Sequence, residues 1–429
     1  MQRYEYTGEI LKDGCLSIHG ELENNFSTGQ QVKLIIEPIN KENNKSNRKC
    51  EPEKYNFIPY SHQSIDEKDV ASVCSTLRSD YLTTGPKVEL FEKALCRYVG
   101  IRYGVAVSSG TAALHCAMYA LNIGHGDEVI VPPITFASTA NCVCFMGATP
   151  VFADVEPDTL LIDPVQVEAR ITPRTKAIIG VDYAGQPCDW DRLRTLADKY
   201  GLALVADSCH AIGAEYKGCK VGTLADMTVF SFHPVKHITT GEGGMIVTDN
   251  EVFAQRMHMF RSHGITSDAR QREKVGAWFY EMIDLGYNYR ITDIQCALGI
   301  SQLGKLPESL KRRQEIATVY DEFFAENELA KPLKLKQNVK HAYHLYVVHV
   351  ADRDDVFIKM RNNGIGVNVH YVPVHLHPYY EKKFGYKKGL CPVAEDAYNN
   401  ILSLPLWPDM GKNNILHIKK CLKKVINGK

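Results

Sequence analysis

The chain has 429 residues, with 50 Lys+Arg against 50 Asp+Glu. It therefore presents no net field to a polyanion, which argues against a protein built mainly to bind nucleic acid or an anionic membrane. No run approaches the roughly 18 apolar residues of a membrane span, and the opening MQRYEYTGEILKDG has no apolar signal core. Its 13 cysteines are scattered without CxxC pairs and read as reduced thiols of a cytoplasmic protein.

Residues 1–39 form a unit of their own. RYEYTGEIL and CLSIHG flank Lys12-Asp13-Gly14, a hairpin signal, and STGQQVKLIIEP adds a further turn and a third strand. Residues 40–56 are polar, charged and without periodicity, a flexible linker. From Phe57 the pattern changes. GVAVSSG precedes the helical TAALHCAMYAL, and DEVIVPP precedes TFASTANCVCF. TPVFADV, TKAIIGVDY, LALVADS, MTVFSF and GGMIVTD are short apolar runs of strand length. Strands alternating with helices predict an α/β domain over 57–305, its sheet mostly parallel and covered on both faces. After Leu306, the helix PESLKRRQEIATVYDEFF, the strand-like HLYVVHV and a second α/β segment ending in a basic helix predict a smaller C-terminal domain, 306–429. The CVC at 142–144 lies in an apolar stretch and reads as packing, so no metal site is expected.

Ligands of open α/β sheets sit outside the carboxyl ends of the strands. At one such end, VSSGTAAL offers the backbone N–H groups of Gly110 and Thr111 and a hydroxyl at a helix N-terminus: a phosphate site, or ordinary Ser/Thr capping. LALVADSCHAIGA closes a buried strand on Asp207, then Cys209 and His210. A carboxylate there needs a cation or hydrogen bonds, and a protonated heterocyclic nitrogen would serve; a helix cap is the plain alternative. Phe136, after VPPIT, is placed to stack on a planar ring or to pack in the core. SFHPVKHITTGEGG then supplies Ser231 and Lys236 before a turn whose glycines leave room for a close neighbour. Phosphate cradle, acidic strand end, aromatic and Ser-x-x-x-x-Lys, in this order in one sheet, describe pyridoxal phosphate. Lys236 would bond its aldehyde carbon, Asp207 keep its ring nitrogen protonated, and Thr111 and Ser231 bind its phosphate.

The chain from about 57 to 425 resembles the DegT/DnrJ/EryC1/StrS family of sugar-nucleotide aminotransferases, which have the type I aminotransferase fold. The matching segments include DYLTTGP, SSGTAALH, PPITFASTAN, VDYAGQP, DSCHAIGAEY, FSFHPVKHITTGEGG, RSHGI and LGYNYRITDIQCALGISQL. IPYSHQSID, HLYVVHV, VNVHYVPVHLHPYY and LSLPLWPDM resemble its pseudaminic-acid branch, which makes UDP-4-amino-4,6-dideoxy-N-acetyl-β-L-altrosamine. By resemblance, Lys236 and Asp207 are catalytic, and His210 reaches the pyridoxal hydroxyl. Gly110, Thr111 and Ser231 touch cofactor phosphate or substrate, and Phe136 stacks on the ring. Asn288 enters the neighbouring subunit's site, which implies a homodimer with shared active sites. Tyr60, Asp80, Tyr81, Leu82, Thr83, Tyr343, His344, Leu345 and Tyr346 match sugar-nucleotide contacts. His233 and His370 either line the site or pack. The expected substrates are glutamate and a UDP-linked 4-keto sugar.

A few family members dehydrate sugars with histidine in place of the lysine. Counting from Ser231 puts Lys236, not His237, at that position, which favours transamination. The first 56 residues depart from the family pattern and faintly resemble AbrB-type swapped-hairpin modules, some of which bind DNA. A DNA-binding regulator with a pyridoxal-phosphate sensor domain is therefore the non-enzymatic alternative. Against it, from Met1 to Asn40 Arg3, Lys12 and Lys33 face Glu5, Glu9, Asp13, Glu21, Glu23 and Glu37, the wrong sign for phosphates. An interaction or dimerisation hairpin is the expectation for this segment.

Overall fold

The computed structural model describes residues 57–267, 272 and 276–427, and the backbone of 7–10 and 16–19. The chain divides into two units, Met1–Lys54 and Tyr55–Lys429. In the first, β1 (Thr7–Ile10) and β2 (Leu16–His19) pair antiparallel, Thr7 opposite His19 and Ile10 opposite Leu16. The Asp-Gly turn, the third strand and the linker expected there lie outside the described residues.

The second unit opens with α1 (Glu67–Leu77) and α2 (Pro86–Val99). There follow β3 (Tyr103–Val107), α3 (Gly110–Ala120), β4 (Glu128–Val131), α4 (Ser138–Phe145), β5 (Thr149–Phe152), α5 (Pro164–Arg170) and β6 (Thr175–Val181). Next come α6 (Trp190–Tyr200), β7 (Ala203–Asp207), the short β8 (Glu215–Tyr216) and β9 (Cys219–Lys220), β10 (Met227–Ser231), β11 (Gly244–Thr248) and α7 (Glu251–Arg261). Seven of these strands form one sheet in the order β3-β11-β10-β7-β6-β4-β5. Its pairs from β10 to β5 are parallel, and only β11 runs against both neighbours. The fold is the mostly parallel α/β architecture read from the sequence. Strands β4 and β11 are buried along their whole length, as strands covered on both faces must be. The β11 reversal goes with the connection 232–243, which holds no helix and folds back on itself, Phe232 N donating to Gly243 O.

The long helix α8 (Asp293–Asn327) starts on a capping box, Thr292 with Gln295, and runs 35 residues. A boundary at 305/306 falls inside it. Pro307 is the reason: proline is favoured in a first helical turn, so sequence reading starts a helix there, whereas the chain tolerates it mid-helix. The far end of α8 packs Ile316, Tyr320, Phe323 and Phe324 into a second core. That core also takes the antiparallel sheet of β12 (Lys331–Pro332), β14 (Tyr346–His349) and β15 (Ile401–Leu404). The strand between, β13 (Val339–Lys340), pairs with β8 instead. Among the described residues no helix is long and apolar enough to cross a membrane.

Candidate active site

At the carboxyl end of β3 the chain turns into α3. Ser109 is the N-cap, its hydroxyl accepting from the Ala112 N–H at 3.1 Å. Capping is thus done by Ser109 and not by Thr111, and the first-turn N–H groups of Gly110 and Thr111 face outward from a positive helix end. Gly110 is closely surrounded: a Cβ there would stand 3.1 Å from Ser231 Cβ and 3.3 Å from Cys209 Sγ. The ends of β3, β7 and β10 therefore meet around this helix terminus. The GEGG turn has a part in this that differs from the expected room for a ligand. A Cβ on Gly244 would meet Ser109 O at 2.5 Å and Gly110 N at 2.8 Å, so the space it leaves is filled by the α3 backbone.

Asp207 ends β7 with 5% of its surface exposed. It caps no helix. One carboxylate oxygen accepts from Thr139 Oγ1 at 2.6 Å and the other from Cys209 N at 3.3 Å, while Thr139 pairs with Thr135 at 2.7 Å. Next along the chain, His210 is buried, with Nε2 3.1 Å from the Tyr371 hydroxyl and Nδ1 without a partner. Burial first, then the Lys236 charge, holds its imidazole well below the usual range.

Lys236 sits in the loop 232–243, which is closed by Phe232 N to Gly243 O and Thr240 N to Phe232 O. Ser61 Oγ donates to Val235 O at 3.3 Å and brings the 60–61 segment against it. The lysine is half-buried, and burial lowers the pKa of its amine against the opposing pull of Cys209 and Asp207. The Lys236 charge helps to hold four buried imidazoles, His210, His237, His344 and His370, below the usual range, so all four lie within its reach. The rings of His210 and His344 lie 4.3 Å apart, and Tyr60 lies 5.3 Å from His370. Of the two histidines left open by the sequence, His370 joins this group while His233 is exposed.

The other expected residues are placed as follows. Phe136 is 59% exposed, its ring edge-on to Tyr371 at 6.1 Å. Asp80, Tyr81, Leu82 and Thr83 are exposed on a loop tied to the start of α8: Asp293 N donates to Leu82 O, and Gly85 N and Lys87 N donate to the Asp293 carboxylate. Leu345 and Tyr346 are both buried core residues. Leu345 packs in the main core, and Tyr346 starts β14 and donates to Asp321 at 2.5 Å. Tyr343 stacks on His341 at 4.0 Å, leaving His344 as the member of that stretch facing His210. Asn288, bridged to Ser262, is exposed and makes no hydrogen bond to the Lys236 group among the described residues. Sequence reading singled out neither Thr139 nor Tyr371, although both lie in quoted segments. It also missed Tyr183, whose hydroxyl donates to His370 O. In one chain the structure thus gathers an anion-binding helix end, a hydrogen-bonded carboxylate and a desolvated amine, a set suited to a phosphorylated heterocyclic aldehyde.

The DegT/DnrJ/EryC1/StrS aminotransferase family model matches residues 63–423. Spore coat polysaccharide biosynthesis protein SpsC of Bacillus subtilis is 42% identical over 381 residues, covering 87% of this chain and 98% of its own. Among solved structures, PseC of Helicobacter pylori, an aminotransferase involved in the biosynthesis of pseudoaminic acid, superposes with a TM-score of 0.81 at 34% identity, covering 87% of this chain and 100% of PseC. Spr1654 of Streptococcus pneumoniae, in its PLP form, gives a TM-score of 0.82 at 34% identity, covering 87% and 99%.

Proposed function

The chain belongs to the DegT/DnrJ/EryC1/StrS aminotransferase family, and from that premise we propose that it moves an amino group from glutamate to C4 of a UDP-linked 4-keto-6-deoxy N-acetyl sugar. The pathway is pseudaminic-acid or related surface-glycan biosynthesis, in the cytoplasm. As a family member the protein is a sugar aminotransferase dependent on pyridoxal phosphate. The finer reading is supported by the likeness to PseC and SpsC together with one observation in this chain: the α3 N-terminus, Asp207 and the lysine loop follow the carboxyl ends of β3, β7 and β10 on one side of the sheet.

The residues present fit the cofactor. The N–H groups of Gly110 and Thr111 and the Ser231 hydroxyl would bind its phosphate. Asp207 would pair with its ring nitrogen, and the partnerless Nδ1 of His210 is a buried polar atom awaiting a ligand group. When bound, pyridoxal phosphate supplies an aldehyde that takes up the amino group and a ring that accepts electrons. The chain's own part is positioning and proton traffic. Asp207, fixed by Thr139 and Cys209 N, would hold a proton at the ring nitrogen. Lys236, eased toward its neutral form by burial, would move the proton as general acid and base. The dehydratase alternative loses ground, because the buried His237 ring is taken up in a bond to Ala342 O.

We further propose that the active unit is a homodimer. Trp278 is 84% exposed, and Phe279, Met282, Ile283 and Leu285 beside it are also exposed, on the strap that carries Asn288. An apolar strip of this kind next to a site residue suits a second copy of the chain. The functional reading is tested by assaying the protein with glutamate against UDP- and dTDP-linked 4-keto sugars. The fastest turnover is expected on the UDP-linked N-acetyl 4-keto-6-deoxy substrate. Turnover confined to dTDP sugars would overturn the assignment.

A further inference from the structure

His237 follows Lys236 directly, and the family chemistry gives it no task. Its Nε2 lies 2.9 Å from Ala342 O, and the ring is buried. A carbonyl can only accept, so Nε2 carries the hydrogen and Nδ1 is bare; that Nδ1 is buried without a partner. Keeping an orphaned acceptor is costly, which marks the Nε2 bond as the reason for the imidazole.

The bond reaches a segment that is held from several sides. Ala342 N donates to Gly185 O at 2.9 Å and Leu345 N to Ala184 O at 3.1 Å. Arg313 donates to Tyr343 O at 3.1 Å, and Tyr343 N to His341 Nδ1 at 2.8 Å. Gly185, at φ +107°, lies so close that a Cβ would stand 2.8 Å from Tyr343 N and 3.0 Å from His344 N. Within this frame His237 is the tie that runs to the lysine loop, and the His344 ring ends 5.7 Å from it and 4.3 Å from His210.

We propose that His237 is a positioning residue: its Nε2–H fixes the 341–344 loop in register with Lys236, so that His344 is presented to the sugar nucleotide. The inference rests on the proposed function and on the resemblance that matches Tyr343 and His344 to sugar-nucleotide contacts. Its effect therefore belongs to the half of the reaction that uses the sugar, and not to the half that uses glutamate.

The test compares His237→Ala and His237→Gln, since the glutamine amide nitrogen can stand where Nε2 does. In the alanine variant the glutamate half-reaction, followed by the cofactor spectrum, changes less than about threefold, while KM for the sugar nucleotide rises at least about tenfold. Glutamine restores most of that loss. In cofactor-free protein, hydrogen exchange at the Ala342 and Leu345 amides speeds up in His237→Ala while amides of β6 and β7 stay protected. Unchanged exchange at these two amides, or equal loss in both half-reactions, overturns the proposal. A wild type that accepts amino groups from glutamate but passes them to no sugar would defeat the functional reading instead; the exchange experiment would still decide the role of His237. Should His237→Ala fail to fold, His237→Gln alone decides: a KM and exchange pattern near wild type supports the tie, and a KM raised as for a lost contact with unchanged exchange refutes it.

Discussion

Lys236 owes its readiness to its surroundings. Burial lowers its pKa, and Asp207 and Cys209 only moderate that effect. On the proposed assignment, Lys236→Ala abolishes both turnover and the visible absorbance of the lysine-bound cofactor, because Lys236 is the amine that bonds its aldehyde carbon. A variant retaining both would reassign the lysine. Asp207→Ala is a different experiment. The helix end and the lysine remain, so cofactor still binds, but the ring nitrogen loses the carboxylate that keeps it protonated. The expected loss in rate is at least about three tenfold steps, each about 1.4 kcal/mol. Near wild-type turnover would remove Asp207 from the site. Thr139 was silent in the sequence because a threonine inside a helix is usually a surface or packing residue. Its hydroxyl acts only because the fold brings it to a carboxylate 68 positions away.

At the scale of elements, legibility followed locality. The ends of β3, β7 and β10 could be read because each carries its polar residues within a few positions of an apolar run. Tyr371 could not, since its contact with His210 spans 161 positions and depends on how the chain returns after α9 (Arg353–Asn362). The packing of Leu345 and Tyr346 was hidden for a related reason. They adjoin His344 in sequence, yet the main core takes the Leu345 side chain and the second core that of Tyr346. The loops around the site carry a pH consequence that no motif announces. Burial lowers the pKa of His341 and of His370 from 6.5 to about 3, and His341 Nδ1 is already used as an acceptor. The unfolded chain takes up protons on these rings below pH 6.5 while the folded chain does not until about 3. Their contribution to stability is therefore complete above pH 6.5 and is lost as pH falls toward about 3. Urea midpoints should drop between neutral pH and pH 5 or so, and His341→Gln should flatten part of the drop. A midpoint independent of pH over that range would mean the rings are not held neutral.

For the whole molecule, two features lie beyond what a single site explains. The first is the exposed strap. If Asn288 completes the partner's site, the inactive Lys236→Ala and Asn288→Ala proteins should rescue one another when mixed, because one of the two composite sites in each heterodimer then holds both wild-type residues. Verified heterodimers without activity would place Asn288 in its own subunit's site or outside both. The second is the N-terminal unit. The family match begins at residue 63, and Met1–Lys54 is a separate unit by its own contacts. A pair of four-residue strands is marginal alone in water, so such a unit gains stability by pairing with a copy of itself or with another protein. Its first 40 residues, with three basic against six acidic side chains, argue for a protein partner over DNA. Deleting residues 1–52 should therefore leave turnover on the sugar substrate near that of the full chain while changing the mass in solution or the proteins retained on it. The measurement is kinetics beside light scattering on both forms. If the shortened enzyme folds and binds cofactor but turns over no substrate, these strands help to build the site, and the catalytic unit begins well before Tyr55.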